Sequence, residues 1–431
     1  MGLGMTSLII FGLLVILLGG TVWVGVTLFI VGFLSMALFT NNPVFTVLAN
    51  IFWNNTNSST MMALPLFILM GEILVRSRLS ERLFNGLAPW MSFLPGRLLH
   101  VNVMASSLFA AVSGSSAATT ATVGKIALPE LLNRKYSRSL AIGSLAGAGT
   151  LGFLIPPSMM MIVYGIAADV SIGKLFIAGI IPGIILAGCL SGYIMIRSLI
   201  NKDLTGESDR YTWEDRIKAL PNLLPVILLI LIVLGSIYTG WATPSEAAAV
   251  GVLGAFIIAL FAKTLNKQVI KEIIMNTVKT STMIMLIVTS ASYLSVMVGY
   301  LQIPAQLTRF INDLGLTGYQ LIIILSIMYI ILGMMLDGFS LIVMTLPLTL
   351  PLIVAAGFDP LWFGIYLILM IEIAQITPPV GFNLFVIKGL VREDVLRIAY
   401  YAMPSFIIIL LVTAILALFP EIVLWLPNLM I

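Results

Sequence analysis

Apolar runs dominate the chain, and polar residues collect in short gaps between them. A helix that crosses a bilayer needs about 20 mostly apolar residues. Such runs lie near 21–40, 58–75, 140–164, 175–196, 222–238, 244–262, 280–298, 361–387 and 398–419. The first residues, Met1 to Leu18, are equally apolar. They lack a basic leader and a small-residue cleavage site, so they read as a retained span and not as a signal peptide. Two further stretches, 98–132 and 319–357, are apolar but interrupted in the middle. Leu79–Pro95 and Leu301–Thr317 are amphipathic and read as arms lying along the membrane interface. The longest polar gap runs from Arg197 to Lys218. The pattern predicts an all-α polytopic membrane protein.

Composition agrees and removes other classes. Of 431 residues, 60% are hydrophobic and 9% charged, against about 25% charged in soluble chains. Mean hydropathy is +1.11. There is one histidine, His100, and one cysteine, Cys189, which excludes His/Cys metal clusters, redox pairs and disulfide frameworks. Ser113-Gly114-Ser115 offers hydroxyls, but His100 is predicted at the cytoplasmic boundary, one helical leg away, so a Ser-His dyad is not expected and the chain does not read as an enzyme. No His-Glu-Xaa-Xaa-His motif occurs. The 23 methionines read as packing filler.

The net charge of +4 has a topological cause and calls for no nucleic acid. Short cytoplasmic loops collect Lys and Arg. With the N-terminus outside, each full span crossing once and the two interrupted stretches returning to the side they left, nineteen of the 22 basic residues fall inside. They lie at Arg76, Arg78, Arg82 and Arg97; at 134–138; at 197–218, including Arg210; at 263–279; and at Lys388, Arg392 and Arg397. Lys174 and Arg309 fall outside, and Lys125 lies within the first interrupted stretch, where it is expected to snorkel. If the interrupted stretches crossed fully, basic loops would face both sides. They are therefore expected to be re-entrant hairpins.

The chain matches itself at a shift of 222. Pro129 falls on Pro351, Pro156-Pro157 on Pro378-Pro379, Pro182 on Pro404, Gly96 on Gly318, Gly32 on Gly254 and Thr21 on Thr243. Proline and glycine set backbone geometry, so shared positions imply shared bends. This predicts two repeats, 1–209 and 210–431. The uncharged segment 41–57 reads as an outer loop, and its mate 263–279, with four lysines, as an inner one. The repeats thus have inverted topology, as in secondary transporters.

Non-helical backbone at membrane depth is tolerated where it is buried or lines a cavity. Each repeat has two such places. One is the hairpin tip, Ser113-Gly114-Ser115-Ser116 and, in the second repeat, Leu336-Asp337-Gly338-Phe339-Ser340. The other is a broken span: Gly147 to Gly152 followed by Ile155-Pro156-Pro157-Ser158, and in the second repeat Glu372 to Asn383. No helix is expected to run through the first set of glycines and prolines. Freed carbonyls and hydroxyls are hard oxygen ligands, so one sodium site per repeat is expected between tip and break. The first would use Ser113, Gly114, Ser115, Ser116, Gly149, Thr150 and Gly152. The second would use Gly333, Asp337, Gly338, Glu372, Thr377 and Gly381. Half-helix N-termini suit an anionic group, which makes Ser116, Pro156, Ser158, Ser340, Pro378 and Asn383 candidate substrate contacts. Asp337 and Glu372 are acids within the membrane, functional by default, with capping of a half-helix as the alternative. The tip hydroxyls, with Thr119 and Thr120, have close helix packing as theirs. Glu246 after Thr243-Pro244-Ser245 reads as a first-turn helix acid.

Gly149-Thr150-Leu151-Gly152-Phe153-Leu154-Ile155-Pro156-Pro157-Ser158 and Ile376-Thr377-Pro378-Pro379-Val380-Gly381 resemble the large membrane subunit of tripartite ATP-independent periplasmic (TRAP) transporters, and the resemblance covers essentially the whole chain. It implies sodium-driven uptake of organic acids such as dicarboxylates, sialic acid or other sugar acids across a bacterial inner membrane. It implies two partners, a small four-helix membrane subunit and a periplasmic substrate-binding protein. No added four-helix segment is present, so the small subunit is expected as a separate chain. It also implies an elevator, with a transport domain near 98–196 and 319–419 and a scaffold near 1–97 and 210–318. The alternative is a stand-alone sodium/carboxylate symporter or ion exchanger that needs no binding protein. A channel gives no reason for two kinds of break per half.

Overall fold

The computed structural model describes residues 3–77, 79–206 and 211–430. Met1, Gly2, Arg78, the 209/210 repeat boundary with Arg210, and Ile431 lie outside the described residues. Among those described there are twenty α-helices and one short 3-10 turn, and no strand.

The helices repeat at the shift seen in the sequence. Adding 222 to the bounds of α7 (Ser116–Asn133) gives 338–355, the bounds of α16 (Gly338–Ala355). In the same way α6 (Leu99–Ser113) corresponds to α15 (Gly318–Gly333), and α8 (Arg138–Thr150) to α17 (Pro360–Gln375). The short α9 (Met159–Ala168) corresponds to α18 (Phe382–Leu390), and α10 (Ile172–Ile200) to α19 (Val395–Leu418). The fold is two inverted-topology repeats, each with a helical hairpin, α6–α7 or α15–α16, and a discontinuous helix, α8–α9 or α17–α18. The amphipathic arms are helices as well, α5 (Leu79–Met91) and α14 (Ile303–Asp313).

Local chemistry sets the element ends. In α12 (Pro244–Phe261) the Thr243 hydroxyl accepts from the Glu246 N–H, and the Glu246 carboxylate accepts from the Thr243 N–H at 2.8 Å. This reciprocal cap satisfies two backbone donors at the helix start. His100 is 2% exposed, with Nε2 2.6 Å from the Pro95 carbonyl. Lys125 is exposed.

Two loops expected from the sequence are helical. The segment read as an outer loop at 41–57 contains α3 (Val44–Thr56), which meets α4 (Ser59–Val75) at a 54° bend. Its mate at 263–279 contains the start of α13 (Lys267–Tyr300), a single 34-residue helix. At 1.5 Å per residue α13 is about 51 Å long, so it projects beyond a hydrocarbon core about 30 Å thick. Its lysines sit on this polar extension, which is why the sequence there reads as a loop. The glycines Gly147 and Gly149 do not break α8, which continues to Thr150. The break is at 151–158.

The repeats are interleaved. α13 packs on α2 (Val24–Phe39), and α12 packs on α4, so each repeat's apolar face is covered by the other. The broken helices exchange too: α9 packs on α16, and α18 on α7. Close approach relies on small residues. A Cβ at Gly143 of α8 would collide with the Tyr401 carbonyl oxygen of α19, and Ser405 Oγ donates to the Gly143 carbonyl at 3.0 Å. Gly143→Val should therefore force α8 and α19 apart at a cost of about 1–3 kcal/mol, read as a lowered thermal midpoint of the detergent-solubilised protein. An unchanged midpoint would place that helix contact elsewhere.

Candidate functional site

Four helices begin at the far side of a break. α7 starts at the N-cap Ser115, α9 at Ser158, α16 at Asp337 and α18 at Gly381. Ser115 and Asp337 are exact mates at the shift of 222, and both cap. The Ser115 hydroxyl accepts from the Ala118 N–H at 3.4 Å. The Asp337 carboxylate accepts from the N–H groups of Phe339 and Ser340 at 3.0 and 3.1 Å, and from the Ser340 hydroxyl. A carboxylate at a helix start opposes the positive end of the helix dipole, so Asp337 has a structural role whatever else it does.

In the first repeat the tip and the break touch. Gly114 takes the left-handed backbone, φ +60°, that ends α6. Its carbonyl accepts from the Met159 N–H at 3.2 Å. A Cβ at Gly152 would stand 2.6 Å from the Ser115 carbonyl, and one at Gly149 would collide with the Thr120 hydroxyl. These two positions need glycine because the broken helix lies directly against the hairpin. Ser113 Oγ and Thr119 Oγ1 are 3.0 Å apart, and Thr119 donates to the Ser115 carbonyl at 2.7 Å. Thr150 donates to the Gly147 carbonyl at 2.9 Å. The Thr120 hydroxyl is buried and has no partner. Gly114 and Ser115 of the tip, with Thr120 of α7, thus lie against the broken helix at Met159, Gly152 and Gly149, while the Thr150 hydroxyl turns back into its own helix. Pro156-Pro157 and Pro378-Pro379 each contain a cis peptide bond, and the Pro157 carbonyl lies against Gly114.

The second set of residues is divided. Gly333 packs against Ala374 of α17, and Gly338 packs against Ile371 of α17 and Met160 of α9. Thr377 donates to the Ile373 carbonyl at 2.6 Å, and Gly381 starts α18 at φ +34°. Asp337 is exposed at the tip. Glu372 is fully buried, and its carboxylate points toward the Thr150 hydroxyl and Leu154 N–H. Neither oxygen meets a donor at full hydrogen-bond geometry. Glu372 therefore sits with the first repeat's break, not beside Asp337.

One hydrogen bond joins the repeats at the centre: Asn383 Nδ2 of α18 donates to Ser116 Oγ of α7 at 2.6 Å. Both residues are fully buried, and Asn383 Oδ1 has no partner. Ser158 and Ser340 are also fully buried, at the starts of α9 and α16, whose first residues meet through Met160 and Gly338. Of the candidate substrate contacts, Ser116 and Asn383 are thus brought into direct contact, and Ser158 and Ser340 onto packed neighbouring helices. Met160 is at this crossing and is more than filler. Gln375, buried with Oε1 unpartnered, has no place among the sequence-based site residues. An amide two residues before Thr377 and three after Glu372, in a helix otherwise almost wholly apolar, was its signal. Among the described residues no group of three or more His, Cys, Asp or Glu side chains gathers to hold a metal, so a cation here would rest mainly on hydroxyl and backbone oxygens.

Inverted repeats with paired hairpins and broken helices meeting at the centre define a membrane transport protein. The family model for the tripartite ATP-independent periplasmic transporter, DctM component, matches residues 10–422, and the chain belongs to that family. It is similar to the C4-dicarboxylate TRAP transporter large permease protein DctM of Pseudomonas aeruginosa, 32% identical across 92% of each chain. It is 30% identical to the sialic acid TRAP transporter large permease protein SiaM of Vibrio cholerae, across 97% of this chain and 98% of that one. In fold it resembles the Alcanivorax borkumensis YdaH transporter, with TM-score 0.63, 12% identity, and 89% and 88% of the two chains covered.

If the Asn383–Ser116 bond couples the repeats, Asn383→Ala and Ser116→Ala should be non-additive. A double-mutant cycle on thermal unfolding should give a coupling of about 0.5–1.5 kcal/mol. Additive losses would show that the two side chains do not interact.

Proposed function

We propose that this chain is the large permease subunit of a sodium-coupled importer of small organic acids, which a periplasmic binding protein delivers. The observation that carries this reading is the pairing of half-helix starts across the repeat interface, α7 with α18 through Ser116 and Asn383 and α9 with α16 through Met160 and Gly338. Unpaired N–H groups at helix starts attract a carboxylate. The uncommitted Asn383 Oδ1 and the Ser158 and Ser340 hydroxyls supply orientation. The relatives' names, C4-dicarboxylate and sialic acid, describe carboxylates of different size, and the shared element is the carboxylate itself.

The first-repeat cluster suits sodium because Thr120 Oγ1 is a buried hydroxyl with no partner, packed against Gly149, and the Ser115 carbonyl lies against Gly152 three residues on. The second cation would sit at the α15–α16 tip with Asp337, Thr377 and Gly381. Each net positive charge carried inward releases about 2.3 kcal/mol per 100 mV of inside-negative potential, so sodium in excess of substrate charge drives accumulation. The hairpins and broken helices, about 98–196 and 319–419, would slide as an elevator against a scaffold of about 1–97 and 210–318. The partners are a separate small four-helix membrane subunit and the binding protein. The setting is a bacterial inner membrane with the N-terminus in the periplasm.

Proteoliposomes holding this chain and its small subunit should take up an organic acid when given both the binding protein and an inward sodium gradient. Uptake indifferent to the gradient removes sodium coupling, and uptake of free acid without binding protein favours the stand-alone symporter. Asp337→Asn keeps a good N-cap and Ser115→Ala removes one. Each should shift half-activation by sodium upward by about tenfold, the equivalent of about 1.4 kcal/mol. Wild-type activation curves for both would put the ligands elsewhere.

A further inference from the structure

A cavity of about 360 Å³ opens away from the central site, between α8, α10 and α19. It lies at the end of the molecule that carries the basic loops. Arg197, in the last turn of α10, and Ser139, in the first turn of α8, stand at its mouth, with Tyr193 one turn inside Arg197 and Tyr400 facing from α19. Met403 and Ile407 continue the wall along α19 away from the basic loops, and they are 45% and 47% exposed.

Arg197 is the one formally charged side chain in the lining, and it is exposed. Among the described residues no carboxylate pairs with it. Glu393, near the start of α19, is committed to Arg138 at 2.8 Å and Arg397 at 3.4 Å. The floor is closed by the tight α8–α19 contact at Gly143 and Ser405. The crevice therefore has a free guanidinium and three hydroxyls at the level of the interface, and an apolar wall open to the bilayer below them.

We propose that this crevice binds the headgroup of an anionic glycerophospholipid from the cytoplasmic leaflet. A guanidinium takes two phosphate oxygens in one plane, and interfacial tyrosines present an apolar body with a polar tip. Basic pockets between helices on the cytoplasmic side are suited to such headgroups. The Tyr193, Tyr400 and Ser139 hydroxyls donate to the remaining phosphate or glycerol oxygens, and the acyl chains run along Met403 and Ile407. A soluble phosphate would use Arg197 but gain nothing from that apolar wall.

The test is native mass spectrometry of the full chain, delipidated and titrated with phosphatidylglycerol or phosphatidylcholine. The wild type should retain one phosphatidylglycerol that phosphatidylcholine does not displace. Arg197→Gln should weaken this binding by about tenfold, and Met403→Trp, which fills the crevice but keeps the guanidinium, should weaken it as well. Millimolar inorganic phosphate should not displace the lipid. The proposal is overturned if both variants retain phosphatidylglycerol like the wild type, if phosphatidylcholine competes equally, or if inorganic phosphate alone displaces it.

Discussion

Backbone amides and carbonyls inside a bilayer have no water to bond, and the fold is organised around that constraint. An unbroken helix satisfies them by itself. A broken one exposes N–H groups on one side of the gap and carbonyls on the other, which must then be met by something inside the protein. Among the described residues two hairpin tips and two broken helices supply four such gaps, and in each repeat the tip packs against the broken helix. Gly114 receives the Met159 N–H, Ser115 and Asp337 cap their own helices, and Gly152 leaves room for the Ser115 carbonyl. What remains unpartnered is a small set of buried polar atoms, Thr120 Oγ1, Gln375 Oε1 and Asn383 Oδ1 among them.

The interleaving of the repeats follows from the same constraint. Neither half could bury its hairpin and its broken helix alone, because α9 is covered by α16 and α18 by α7. The contact at the centre is therefore made by both halves, through Asn383 and Ser116. A site at the seam of two oppositely oriented copies is one that can face either side of a membrane with little change inside each copy. The two tips are not equivalent in this state: the first is largely buried, with Ser113 and Ser116 inside, whereas Asp337 and Met335 of the second are exposed.

Much of this was legible in the sequence because prolines, glycines and caps act locally. The shift of 222, the hairpin tips and the double-proline breaks depend on residues that dictate backbone geometry wherever they stand. The capping box at Thr243 and Glu246 is equally local. The misread parts depend on partners far away in the chain. The polar extension of α13 looks like a loop, because lysines beyond the membrane carry no sign of helix continuing through them. Gly147 and Gly149 look like helix breakers but are contact points, and what they touch, Ser405 and Thr120, is visible in three dimensions alone. Its place in the stretch read as the second-repeat break, Glu372 to Asn383, put Glu372 in the second site. The crossing of the repeats brings it instead beside Thr150 itself.

The central claim is that α7 and α18, from opposite repeats, meet tip to break. Cys189 is the sole native cysteine, so a Cys189→Ser background with cysteines introduced at 116 and 383 isolates this contact. With the native side chains 2.6 Å apart, the pair should cross-link within one chain under mild oxidation in native membranes, seen as two protease fragments that separate after reduction. Fragments that separate without reduction, in protein that remains folded, would contradict the account.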